Sequence, residues 1–259
     1  MNSRLSTWII LGLTLTFLIG PFLIIIAAAL SAGNNLAFPP QGLSLKWFIK
    51  VFEVESFRAS FGVSMFLAIF GTLAALVLGV PAAYAMTRYR VPGAETVKLV
   101  VSSPIIVPGI IVGLALLQYL VIPLGVGIGP ALFLAHTALI LPYAVRVVSA
   151  SMENLRVDME EAALLLGCTR FGAFRRIVLP NIRGGLLAAF ILGFVTSFNQ
   201  VPVSLFLSGP GLRTLPIDMI AYMEINYDPS VAALSALLAF MSVGIVFAAE
   251  RFIGLSRYV

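Results

Sequence analysis

Five stretches without a single Asp, Glu, Lys or Arg, residues 5–45, 59–87, 99–145, 184–212 and 229–249, partition this 259-residue chain. About 20 apolar residues cross a bilayer core, so four of these runs supply one span each. The run 99–145 has 47 residues and as one helix would reach about 70 Å at 1.5 Å per residue, too long for a single crossing. The tract Pro123-Leu-Gly-Val-Gly-Ile-Gly-Pro130 divides it. The pattern therefore predicts an all-α integral membrane protein forming one domain over 1–259, with six transmembrane helices near 6–31, 60–87, 98–121, 131–151, 184–207 and 229–250. All 11 acidic residues lie at or beyond the ends of those spans. Only 10% of residues are charged, against roughly 25% in an ordinary soluble domain, and this excludes a water-exposed globule and a disordered chain.

The first helix begins after Arg4 and ends near Ala-Ala-Leu-Ser-Ala, which superficially resembles a secretory signal. Its apolar run of about 26 residues far exceeds the usual core of about 7 to 15, so it is read as a retained span. Basic residues set the orientation. With a cytoplasmic N-terminus, that side holds Arg4, Arg88, Arg90, Lys98, Arg146, Arg156, Arg170, Arg175, Arg176, Arg183, Arg251 and Arg257; the other side holds only Lys46, Lys50, Arg58 and Arg213. The bias places both termini in the cytoplasm. The net charge of +5 thus reflects membrane topology, and no nucleic-acid partner is expected.

That topology leaves one cytoplasmic segment, 152–183, long enough for structure of its own. Its first part, Glu153 to Gly167, is rich in Ala, Leu and Glu and ends on a glycine suited to a left-handed helix terminus. A second short helix begins near Thr169. There Phe171, Phe174, Ile177 and Val178 fall near one face, and Pro180 stops the helix. Such a pair can serve as a docking knob for a protein, or lie on lipid headgroups.

Within this segment Glu161-Ala162-Ala163, three residues, Gly167, nine residues, then Ile177-Val-Leu179-Pro180 resembles, at every fixed position, the EAA loop of the permease subunits of bacterial ABC importers. Seven specified residues at ordinary frequencies would coincide by chance on the order of once per million chains. The resemblance covers nearly the whole chain and is greatest to the second permease of the spermidine/putrescine-type branch. It includes the Arg-Tyr-Arg-Val-Pro-Gly turn at 88–93 and Leu-Ser-Gly-Pro-Gly-Leu-Arg-Thr-Leu-Pro after the fifth helix.

The resemblance implies a type I importer permease (MetI-like) fold in the bacterial inner membrane. It also implies coupling of Glu161, Ala162, Ala163, Gly167, Ile177, Leu179 and Pro180 to a dimer of ATP-binding subunits. ATP and Mg would be bound by that partner and no cofactor by this chain. A second permease, expected to be a different chain, a periplasmic or extracellular substrate-binding protein and membrane lipid complete the expected partners. The motif's residue types fit docking: two alanines permit close approach, a glutamate accepts charge-assisted hydrogen bonds, and a glycine permits the turn.

No catalytic constellation accompanies this. A phosphate-binding loop needs Gly-Lys followed by Ser or Thr, and no Gly-Lys pair occurs in the sequence. Leu207-Ser-Gly-Pro-Gly211 reads as a turn beyond the fifth helix. No metal-ligand spacing surrounds the single cysteine, Cys168, which reads as a small apolar residue, and the single histidine, His136, reads as an interhelical hydrogen-bonding group.

Polar residues inside spans face a partner helix or a wet cavity. Asn199, Gln200, Ser197, Gln118 and Tyr143 are therefore candidates for a substrate pathway, with interhelical glue as the alternative for Asn199 and Gln200. Pro202 can open the helix beside them, Pro81, Pro104, Pro108 and Pro142 suggest kinked helices around a cavity, and Gly109-Ile-Ile-Val-Gly113 permits a close helix contact. Permeases of the polyamine-type branch often carry acidic residues in the third helix tract and near 199–200; this chain has Ile105 and Asn199-Gln200. The expected substrate is a small polar solute, polyamine-like by resemblance but neutral, zwitterionic or anionic by these residues: an opine, an amino-acid derivative or a phosphonate. The rival reading is a channel or ion-gradient-driven secondary transporter, which usually employs membrane-embedded carboxylates that this chain lacks.

Overall fold

The computed structural model describes residues 3–89, 92–209 and 211–253. It is helical, and the described residues contain isolated bridges but no strand. The helices are α1 (Ser3–Ala29), α2 (Lys46–Glu53), α3 (Glu55–Phe66), α4 (Thr72–Arg88), α5 (Ala94–Ile106), α6 (Gly109–Leu116), α7 (Ile128–Glu153), α8 (Asp158–Leu165), α9 (Arg170–Ala173), α10 (Leu179–Asn181), α11 (Arg183–Phe198), α12 (Pro202–Phe206), α13 (Leu215–Ile225) and α14 (Ser230–Ile253). Single π-helical turns at Leu67–Gly71, Leu117–Val121 and Phe174–Val178 join α3 to α4, extend α6 and join α9 to α10. Four helical stretches are long and apolar enough to cross a membrane, and two strongly bent pairs raise the number to six.

Two expected spans are not continuous helices. The stretch expected over 98–121 breaks at Val107–Pro108, and its two parts meet at 102°. Proline supplies no N–H and biases the preceding residue toward extended backbone; Val107 accordingly has φ −77° and ψ 130°. The stretch expected over 184–207 stops at Phe198, and a short α12 follows from Pro202. Without an N–H, Pro202 cannot continue the ladder to the Phe198 carbonyl. The amphipathic α2 and the helix α13 occupy stretches expected as loops.

By packing, the chain groups into two compact units. One comprises Met1–Ala59 and Asp218–Ile245. In it α2 buries Trp47 and Val51, and the Trp47 indole donates to the Ser31 carbonyl at 2.8 Å, just past the end of α1. Lys50 pairs with Asp228 at 2.6 Å, and Tyr222 and the Ser230 N–H also donate to that carboxylate. The apolar stretch of α1 is exposed from Ser6 to Ile19 and becomes half-buried and then buried over its last five residues, Ile25 to Ala29.

The second unit, Ser60–Ile217 and Val246–Val259, is organised on α7, against which α4 and α11 both pack. Small residues permit these approaches. A Cβ on Gly79 would lie 3.0 Å from that of Ala144, one on Gly193 would lie 2.7 Å from the Ile140 side chain and 2.8 Å from that of Thr72, and one on Gly185 would collide with Ser151. Nearby, α6 lies against α12. A Cβ on Gly113 would stand 2.7 Å from the Val203 carbonyl oxygen, and one on Gly109 would stand 3.1 Å from Pro202, so the Gly109–Gly113 spacing provides the close contact it suggested.

Candidate functional site

The segment 152–183 folds into two short helical pieces joined by a tight turn. Helix α8 ends in a Schellman turn: the Gly167 N–H donates to Leu164 O and the Cys168 N–H to Ala163 O, both at 3.0 Å. Gly167 has φ +84°, a left-handed conformation that disfavours any residue with a Cβ. Thr169 then caps the second piece, its hydroxyl accepting from the Gly172 N–H at 3.1 Å. This piece runs through the π turn to Asn181, one residue beyond Pro180, and meets α11 at 69°.

Its buried face is formed by Ala173, Val178 and Ile182, with half-buried Phe174 and Ile177 beside them. Val178 and Ile182 join Ala83 of α4, Val148 and Met152 of α7 and Ala189 of α11 in one apolar cluster. The Phe174 ring packs edge-on against Tyr84, with centroids 5.0 Å apart. Phe171 was expected on the same face, but it is 73% exposed, one helical turn before Phe174 and too early in the piece to reach the cluster.

A buried ion pair anchors the other piece. The Arg88 guanidinium, at the end of α4, donates through Nε to Glu160 Oε1 at 2.6 Å, and both side chains are 8% exposed. Tyr84 OH donates to Glu160 Oε2 at 2.9 Å. Arg88 Nη2 also donates to the carbonyls of Met152 at 3.2 Å and Leu155 at 3.1 Å, where α7 ends. One guanidinium thus ties the ends of α4 and α7 to α8, and every partner is a hydrogen-bond acceptor. Burying a charge is tolerable only with such satisfaction. The EAA reading did not single out Arg88, Tyr84 or Glu160; the available signal was two adjacent glutamates, one of which must face inward on a helix lying against a bundle.

With Glu160 inward, Glu161 and Ala162 are exposed, Ala163, Ile177 and Leu179 are half-buried, and Gly167 and Pro180 are exposed. Around them stand Leu165 and Leu166, each 89% exposed, together with Val157, Met159 and Phe171. An apolar tip of this kind on a rigidly anchored loop is suited to burial against another protein.

The expected pathway residues lie apart from this loop. Ser197 is buried and within 2.7 Å of His136 Nδ1, while Ser204 of α12 lies 3.1 Å from Nε2. His136 is therefore the interhelical hydrogen-bonding group its isolation suggested. Asn199 is exposed, and its amide turns back to the Val195 carbonyl at 3.0 Å. Gln200 and Tyr143 are half-buried, and Gln118 is exposed on the π turn after α6. Among the described residues no side-chain hydrogen bond joins any two of these five; the one bond between them is from the Gln200 N–H to the Ser197 carbonyl at 3.2 Å. No group of His, Cys, Asp and Glu among the described residues could hold a metal ion.

Apolar helices long enough to cross a membrane, packed on α7 and carrying a separately folded loop, define an integral membrane protein. Over residues 75–255 the chain matches the family of binding-protein-dependent transport system inner membrane components, and it belongs to that family. It is 31% identical over 251 residues to the putrescine transport system permease protein PotI of Escherichia coli K12, covering 93% of this chain and 88% of that one. It is 29% identical to the spermidine/putrescine permease PotC of the same strain, covering 81% of this chain and 80% of that one. It is also 29% identical to the sulfate permease CysT of Salmonella typhimurium, covering 70% and 68%. Among solved structures, a bacterial ABC transporter that imports the acidic polysaccharide alginate superposes with a TM-score of 0.71 at 16% identity, over 96% of this chain and 95% of that one. The inward-facing methionine transporter MetNI gives 0.61 at 21%, over 75% and 93%. The fold is that of type I ABC importer permeases.

The chain is accordingly a permease subunit of a binding-protein-dependent ABC importer, integral to the inner membrane. It is not itself an enzyme, since ATP hydrolysis resides in a separate subunit of such importers. Family membership decides against the gradient-driven alternative.

Proposed function

We propose that this chain forms half of a translocation pathway and is driven by a dimer of ATPase subunits, one of which receives the 152–183 loop in a cleft. The observation that carries this reading is the loop's division of labour: Glu160 fixes it to α4 and α7 through Arg88, while Leu165, Leu166 and Phe171 project outward. Glu161, Ala162, Ala163, Gly167, Ile177, Leu179 and Pro180 form the coupling element around that tip. Both termini are cytoplasmic, so the loop meets the ATPases, where ATP and Mg are held. Opposite them, a substrate-binding protein delivers solute to the outer loops near 32–58 and 208–228. A second, different permease supplies the other half of the pathway.

The substrate is a small polar solute that is neutral, zwitterionic or anionic, such as an opine, an amino-acid derivative or a phosphonate. Every Asp and Glu lies at or beyond a span end, and a free polycation would otherwise be countered by embedded carboxylate. The relatives named for putrescine, for spermidine and for sulfate leave both signs of charge within reach of this fold. Asn199, Gln200, Ser197, Gln118 and Tyr143 line the route.

The test is purification of the tagged chain from its native membrane, identification of co-purifying proteins, and reconstitution of the assembly. An ATPase pair, a second permease and hydrolysis stimulated by the binding protein are expected. In that assembly Glu161→Lys, or Gly167 replaced by a bulky residue, should uncouple hydrolysis from transport while leaving insertion intact. Full transport by both variants overturns the site assignment, and strong saturable spermidine uptake overturns the substrate class.

A further inference from the structure

Helix α11 leaves the 152–183 loop at Ile182 and stops at Phe198, where the backbone breaks before resuming as α12 at Pro202. A break in a helix is normally soft. The elbow's own hydrogen bonds stay local, from Gln200 N–H to Ser197 O and from Leu205 N–H to Val201 O. Pro202 removes the donor that would have bridged to Phe198. Any movement arriving along α11 would be absorbed here unless something spans the gap.

His136 spans it. Its ring lies on α7 with Nδ1 2.7 Å from Ser197 Oγ, on the near side of the break, and Nε2 3.1 Å from Ser204 Oγ, on the far side. His136 is 1% exposed, Ser197 4% and Ser204 0%. A neutral imidazole has one donor and one acceptor nitrogen, and each hydroxyl rotates to match either tautomer, so the trio is satisfied without charge. Beyond the break α12 is held on its other side by the close approach of Gly113 and Gly109 to Val203 and Pro202.

We propose that His136 is a positioning residue for transport. With Ser197 and Ser204 it locks the α11–α12 elbow, so that displacement of α11 is handed on to α12 and α6 and is not lost at Asn199–Val201. The transmission half of this proposal rests on the reading that ATPases drive the chain through the 152–183 loop; the lock does not.

Nitroxide labels on Leu192→Cys and Leu205→Cys, both exposed, report the elbow directly. They are introduced with Cys168→Ser into the assembled transporter in vesicles. Electron–electron distances are read without nucleotide and after trapping with ADP and vanadate, and ATP hydrolysis is measured with and without the binding protein. The native sequence should give one narrow distance in both states. His136→Leu, and independently Ser197→Ala with Ser204→Ala, should broaden it and cut stimulation by the binding protein about tenfold. His136→Gln presents one donor and one acceptor at similar reach and should restore both readouts. A narrow distance in His136→Leu overturns the lock, and a broadened distance with full stimulation overturns the transmission. Hydrolysis in the native complex that ignores the binding protein would overturn the coupling reading, and the transmission with it, while the distance still decides the lock.

Discussion

Glu160 tests whether the docking loop is held by its buried ion pair or only by apolar contact. Glu160→Ala leaves the Arg88 guanidinium buried with the Met152 and Leu155 carbonyls but no counter-charge, and leaves Tyr84 OH without its acceptor. Removing one member of a buried pair destabilises by about 3–5 kcal/mol. Glu160→Gln keeps one acceptor for Arg88 but leaves the guanidinium without a counter-charge and turns an amide NH2 toward the Tyr84 hydroxyl, for about 2–3 kcal/mol. Arg88→Met with Glu160→Leu removes both charges and leaves two carbonyls at the end of α7 to be solvated, for about 2 kcal/mol. At about 1.4 kcal/mol per tenfold change in equilibrium constant, amide exchange across α8, measured by hydrogen–deuterium exchange on the detergent-solubilised chain, should accelerate by about 100-fold or more in Glu160→Ala. About thirtyfold is expected in the double variant and about thirty- to 150-fold in Glu160→Gln. Native exchange in Glu160→Ala, or a double variant as labile as the single one, would refute the claim that an unpaired buried charge is what loosens the loop.

Other perturbations address separate parts of the structure. Gly113→Ala places a Cβ 2.7 Å from the Val203 carbonyl oxygen and should destabilise by about 1–3 kcal/mol, whereas Gly12→Ala on α1, where nothing lies within 4 Å, should be neutral in thermal unfolding. Gly167→Ala, at φ +84°, should cost about 1–2 kcal/mol and loosen the α8 terminus in the same exchange experiment. For Lys50 and Asp228 the hydrogen bond raises the lysine above 10.5 against the opposing effect of burial. Burial pushes the aspartate up, but the bonds from Lys50 and Ser230 outweigh it and hold the carboxyl below 3.8. The pair's contribution is therefore full between about pH 4 and 10, is lost as pH falls through the depressed carboxyl value or rises through the raised amine value, and amounts to about 1 kcal/mol or less because Lys50 is well exposed. Thermal melts of Asp228→Asn should differ from native across that plateau and converge with it at the acid end.

The number of apolar stretches was legible because charge is so costly in hydrocarbon that its absence marks each run. The Pro123–Pro130 tract announced the break before α7, and Gly167 announced the end of α8. What sequence did not carry was direction. Pro108 signals a kink as readily as the 102° turn it makes, because the angle is set by what α6 packs against, here the Val203 backbone. The interruption at 199–201 was foreshadowed by Pro202, yet the uninterrupted apolar run concealed it. Adjacent glutamates at 160 and 161 are equivalent in composition but about 100° apart on a helix; only the Arg88 guanidinium at the end of another helix selects which one is buried. Nor did any spacing announce that the Ser197 hydroxyl lies within 2.7 Å of His136 Nδ1, 61 residues away.

The two polar clasps in the second unit differ in chemistry in a way that follows from where they sit. The Arg88–Glu160 ion pair lies at the ends of α4 and α7, just beyond the apolar run 59–87 whose last turn carries Tyr84, where interfacial water can solvate a charge while the loop folds. The His136–Ser197–Ser204 clasp lies inside the apolar runs 99–145 and 184–212, where an unpaired ion would be prohibitive; neutral groups that satisfy one another are the affordable solution there. Between the clasps, Gly79 on Ala144, Gly185 on Ser151 and Gly193 on Ile140 bring α4, α7 and α11 into contact with no long side chains to rearrange. Helices in such contact have few low-energy ways to slide, because packed interfaces are not continuously deformable. A load applied at the 152–183 loop is therefore predicted to move α4, α7 and α11 as one body, so that single labels on these three helices should shift together between nucleotide states; independent movement of α11 would mean that the small-residue contacts are not what joins them.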